Sequence, residues 1–157
     1  MTEGHGTLRS AVLAAVGYIA IMAAGMFTSG HLFGITYGDP KMVNVLVFFE
    51  IILSLYAIVM ARRLFKHWHC GFRPIDWSGM VWLLPNFVLM AALFFALFRT
   101  GTIEFSGLAL LIIVTMILVG FSEELMFRGV AFRGALNEVS PGKAILISSA
   151  LFSLLHS

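Results

Sequence analysis

The feature that most constrains this chain is the length of its apolar runs. The stretch "AVLAAVGYIAIMAAGMF", about 11–27, and the stretches at roughly 42–61, 80–98 and 103–121 are interrupted by almost no charge. Each is close to the ~20 residues that an α-helix needs to cross a bilayer. Only a helix or a closed barrel satisfies its backbone polar groups where water is absent. The whole chain is 60% hydrophobic and 11% charged, with a mean hydropathy of +0.97. Soluble domains sit near one half and one quarter. The expected fold is therefore all-α: a multi-pass transmembrane helix bundle of about four complete spans, forming one domain over residues 1–157.

A fifth apolar run starts near Ala144 and is cut off at Ser157. At 1.5 Å per residue, about 14 residues do not cross a hydrocarbon core of about 30 Å. The expectation is a C-terminally truncated chain, the N-terminal part of a longer protein. The first run begins like a signal peptide, after Arg9, but its length favours an uncleaved anchor. "TSGHLFGITYGDPK" reads as a turn-rich loop.

Lysines and arginines set the orientation. Arg62, Arg63, Lys66 and Arg73 follow the second run, and Arg128, Arg133 and Lys143 follow the fourth. The alternate loops hold Lys41 and Arg99. The N-terminus and the segment after the fourth run are thus expected on the cytoplasmic side. The net charge of +2 is scattered, with no basic face and no interleaved aromatics, which excludes a nucleic-acid partner. The single cysteine, Cys70, excludes an internal disulfide and a Cys-rich zinc site.

The chemistry is concentrated in "GFSEELMFRGVAFRG", residues 120–134. On a helix continuing from the fourth span, Arg128 lies four residues beyond Glu124, on the same face, where an ion pair forms readily. Glu123 is turned about 100° away, in line with Phe127 and Val130. One carboxylate is then held by the guanidinium while its neighbour is left for other work, a recurrent way of making a general base. Spacing alone also fits three hydrated charges at a span end. The second feature is "LFSLLHS", where His156 follows Phe152 by four residues on an otherwise apolar run. Taken alone it fits a structural histidine as well as a functional one.

Together, "EELMFRG" and "FSLLH" resemble the CPBP family, the Abi-type intramembrane proteases that process CAAX proteins and bacteriocins. The family's motifs EExxxR and FxxxH are matched by Glu123, Glu124 and Arg128, then by Phe152 and His156. Phe127 and Gly129 are similar to bacterial members, which implies a multi-pass protein of a bacterial plasma membrane. The resemblance is strong over 120–157 and only topological before. It implies an endopeptidase that cuts a peptide or prenylated protein substrate near the cytoplasmic face of the lipid bilayer. Glu123 and His156 would activate water, with Glu124, Arg128 and Phe152 in support. Family members are often called metalloproteases, which would make Glu123 and His156 ligands of a zinc ion. A metal-independent glutamate mechanism has been argued too. There is no HExxH, and one histidine with glutamates is a thin ligand set. The family's third motif, a later histidine followed by asparagine or aspartate, has no counterpart here. The chain by itself is therefore expected to be inactive.

Two other readings stay open at this point. One is a non-proteolytic membrane partner or bacteriocin-immunity protein that keeps the motif; the other is an ion-pathway protein. Glu50, within the second run, is expected to line the catalytic cavity or to pair with Arg128. Pro85 and Asn86 suggest a kink. "KHWHCG", residues 67–71 with Lys66, offers a weak metal site, an interfacial Trp68 and an acylation position at Cys70. "SPGK", residues 140–143, reads as a turn before the next helix and lacks phosphate-loop spacing.

Overall fold

A computed structural model describes residues 6–35, 39, 41–65, 81, 84–101 and 106–156. The expectations for Gly38, Pro40, Lys66, His67, Trp68, His69, Cys70 and Arg73, and for the starts of the third and fourth runs, lie outside these residues. The protein is all-helical, with no strand among the described residues. Helix α1 is Leu8–Phe33, α2 Met42–Leu64, α3 Leu84–Arg99 and α4 Gly107–Glu123. A π-helical segment, Glu124–Phe132, prolongs α4 and runs into α5, Arg133–Leu136; α6 is Pro141–Leu155. Among the described residues, three helical stretches are long and apolar enough to cross a membrane: Leu8–Phe33, Met42–Leu64 and Gly107–Leu136. The protein is integral to a membrane.

The first helix is longer than expected at both ends. "TSGHLF" is its last turn and a half rather than a loop. Thr28 and Ser29 tolerate this because each hydroxyl donates to the carbonyl four residues back, Ala24 at 2.7 Å and Gly25 at 2.7 Å. The helix stops at Gly34, whose φ of 61° is left-handed, and Ile35 N–H returns to the Ser29 carbonyl. The helix of the fourth span runs on through the glutamates, as their spacing requires. Pro85 falls in the first turn of α3, where a proline's missing N–H is no loss, so no kink is needed. Pro141 likewise opens α6, so "SPGK" is a helix start.

Alanines make the core. Ala11, Ala14, Ala15 and Tyr18 of α1 meet Leu53, Ala57 and Ala61 of α2, and Leu125, Met126, Phe127, Val130 and Ala131 of the π segment. Small side chains let backbones approach closely, the main source of helix association in lipid. Gly134 takes this furthest, since a Cβ there would collide with that of Ala11. The turn after α5 is tied to the start of α1 as well. Leu8 N–H donates to Glu138 Oε1 at 3.0 Å, and Asn137 Nδ2 donates to the Gly6 carbonyl at 3.0 Å. Helix α3 is outside this core, with every described side chain but Leu97 exposed.

Candidate active site

The motif glutamates part company where α4 becomes π-helical. Glu124 and Arg128 form the expected ion pair, with Oε2 3.1 Å from NH1. Both are open, at 58% and 78% side-chain exposure, so for these two the hydrated reading holds. Glu123 differs: its side chain is only 14% exposed, and Oε1 lies 3.9 Å from His156 Nε2. Residues 33 positions apart in the chain have thus been brought face to face.

The histidine is set by its own helix. His156 Nδ1 lies 3.1 Å from the Phe152 carbonyl oxygen. A carbonyl can only accept, so Nδ1 carries a proton in this contact, and Nε2 faces Glu123. The Phe152 ring stands 4.7 Å from the imidazole and 5.3 Å, edge-on, from Phe127. Phe127 in turn meets Tyr18 edge-on at 5.7 Å. An aromatic file from α1 to α6 therefore fixes the ring's position, which gives Phe152 of the FxxxH spacing a physical task. Ser148 of α6 donates to the Phe127 carbonyl at 2.8 Å and anchors α6 to the π segment.

Glu50 does not pair with Arg128. It is fully buried, and its Oε2 accepts from Ser122 Oγ at 2.9 Å. Ser122 Oγ also lies 2.8 Å from Tyr18 OH and 3.1 Å from the Val119 carbonyl. Ser122, the residue before the catalytic candidate, is thereby bolted to both α1 and α2. Neither Tyr18 nor Ser122 was visible as a site residue in the sequence. A tyrosine in an apolar run does signal that its hydroxyl needs a partner, but not which one.

Two recesses adjoin Glu123. A cavity of about 700 Å³ is lined by Glu50, Thr115, Glu123 and His156 among apolar residues including Met22 and Met116. A smaller recess of about 170 Å³ is lined by Glu123, Glu124, Arg128, Ser149 and Phe152 among others. Glu123 is common to both. A catalytic zinc takes three protein ligands as a rule. Among the described residues no group of three His, Cys, Asp or Glu side chains is close enough to hold a metal ion. Glu123 and His156 alone do not make up such a donor set.

Comparison with known proteins bears on the same segment. No curated protein and no solved structure matches the chain. The family model described as type II CAAX prenyl endopeptidase Rce1-like matches residues 105–157. That range holds α4, the π segment, α5 and α6, with Glu123, Glu124, Arg128, Phe152 and His156. Over its last third, then, the chain is similar to Rce1-like, CAAX-protease-type sequences, in keeping with the CPBP resemblance carried by its two motifs.

Proposed function

We propose that the protein is an intramembrane endopeptidase of the CAAX-processing kind, in which Glu123 is the general base. The observation that carries this reading is the division of labour in the motif: Arg128 occupies Glu124, and Glu123 is left shielded opposite His156. A separation of 3.9 Å is too long for a hydrogen bond. It suits a water seated beside the Oε1–Nε2 line, within hydrogen-bond distance of both atoms. Such a water donates one hydrogen to Glu123 and the other to His156 Nε2, and its lone pair is left to face a carbonyl carbon.

Attack then forms the C–O bond as Glu123 takes the water's proton. Collapse of the tetrahedral intermediate breaks the C–N bond, and the proton on Glu123 passes to the leaving amine. The group that binds the oxyanion, commonly a large contribution, is assigned to the family's third motif. The substrate is a peptide or prenylated protein in a bacterial plasma membrane, cut near the cytoplasmic face. The two recesses suit this pairing, since the apolar one faces a membrane-soluble substrate and the charged one leads to water.

The test uses membranes containing the complete gene product and a prenylated C-terminal peptide. Glu123→Gln keeps the shape and removes the base, and turnover is expected to fall at least ~100-fold. Turnover equal to that of the unsubstituted protein sinks the assignment. Retained partner binding or immunity in a Glu123→Ala variant of a protein that cleaves nothing would favour the non-proteolytic reading.

A further inference from the structure

The large cavity has a chemical bias that the proposed base and its partner do not use. Each polar group on its wall presents an acceptor. Glu50 Oε2 is taken by Ser122, but Oε1 is buried without a hydrogen-bond partner among the described residues. Thr115 Oγ1 donates to the Leu111 carbonyl at 2.8 Å, which leaves its lone pairs free. His156 Nε2, opposite Glu123, is an acceptor in the neutral ring whose proton sits on Nδ1. Glu123 as an ionised base accepts too. The rest of the wall is apolar, with Ile19, Met22 and Leu46 among it.

A purely hydrocarbon occupant would leave the Glu50 oxygen unsatisfied, a standing cost in a dry site. An extended peptide has the complementary shortage. Its backbone N–H groups lose water on entering the membrane and need acceptors. We propose that Glu50 is a substrate-binding residue whose Oε1 accepts a hydrogen bond from one backbone N–H of a peptide lying extended in the cavity, in register with Glu123. The terminal torsion of a glutamate is broad and soft, so a small turn presents Oε1 to the cavity. This rests on the peptidase reading, because it takes a peptide as the occupant. Ser122, itself bonded to Tyr18, holds the other oxygen, so the register of the bound peptide is tied to the helix that carries the base.

The experiment measures binding of a fluorescent apolar peptide to the solubilised Glu123→Gln protein, with the peptide N-methylated at one backbone position at a time. One position is expected to weaken binding about tenfold, the worth of one good hydrogen bond. In Glu123→Gln/Glu50→Met, which keeps the volume and lacks the acceptor, the unmodified peptide binds about tenfold more weakly and that position loses its penalty. Where the Met variant does not accumulate, Glu50→Gln replaces it: its amide donor turned to the cavity opposes the peptide N–H and removes the same selectivity. A flat N-methyl scan, or a penalty equal with and without the Glu50 carboxylate, overturns the assignment; a prenyl chain filling the cavity gives that result. Turnover of the unsubstituted protein is read separately. Peptide binding without turnover sinks the peptidase reading, and turnover with a flat scan sinks only the role of Glu50.

Discussion

Consider Ser122→Ala. The change removes a single oxygen from a fully buried site, creates almost no cavity, and suits a helix. Its effect is nevertheless large, because two other buried groups depend on that oxygen: Glu50 Oε2 at 2.9 Å and Tyr18 OH at 2.8 Å. A stranded buried polar group costs about 1–3 kcal/mol. With two stranded, the expected loss is about 2–6 kcal/mol. Tyr18→Phe removes one partner but strands nothing, since Ser122 keeps its hydrogen bond to Glu50. Its cost is that of one net hydrogen bond, about 0.5–1.5 kcal/mol. The double variant is the decisive one. Tyr18→Phe in the Ser122→Ala background removes an orphaned hydroxyl, so it should recover about 1–3 kcal/mol instead of adding to the loss. Equilibrium unfolding in detergent micelles or bicelles measures all three. If Ser122→Ala is as mild as Tyr18→Phe, or if the two costs simply add, the hydroxyl does not bridge the two groups.

His156→Ala should lower turnover by about 10²–10⁴-fold, while Phe152→Leu, which removes the ring beside it, should cut kcat and leave KM nearly unchanged in peptide hydrolysis assays. Gly134→Ala brings two Cβ atoms into collision at Ala11, and overpacking of this kind costs about 1–3 kcal/mol; adding Ala11→Gly should restore the thermal midpoint. Replacing both Glu124 and Arg128 by glutamine breaks an exposed ion pair, so unfolding should register under about 1 kcal/mol.

What could be read in the sequence follows from how far each signal reaches. Apolar run length gave the helices and their number nearly right, because a span is a local property of about 20 residues. The Glu124–Arg128 pair was legible for the same reason, being one turn of helix apart. "TSGHLF" was misread because its serine, threonine and glycine are turn formers by composition, while the hydroxyls are satisfied inside the helix by back-bonding. Glu50 was expected to line the cavity or to pair with Arg128; it lines the cavity, and its hydrogen bond goes to Ser122. Ser122 is 72 residues away, and nothing near either residue marks the match. Tyr18 and Ser122 are separated by 104 residues and were equally invisible. Glu123 and His156 were joined by the family resemblance; the short approach between them is a product of packing that no local pattern encodes.

The π segment has one more consequence. In a straight α-helix, residues eleven apart fall on nearly the same side, since three turns take 10.8 residues. Glu123 and Gly134 have that separation, yet one turns to His156 on α6 and the other is pressed against Ala11 on α1. Wider winding over Glu124–Phe132 lets the two ends of one continuous helix keep separate appointments. It acts as a phase adjuster between the chemistry and the docking surface. Deleting one residue within it would rotate one end against the other by about 100°, so the length of this segment is held more tightly than the identity of its exposed side chains.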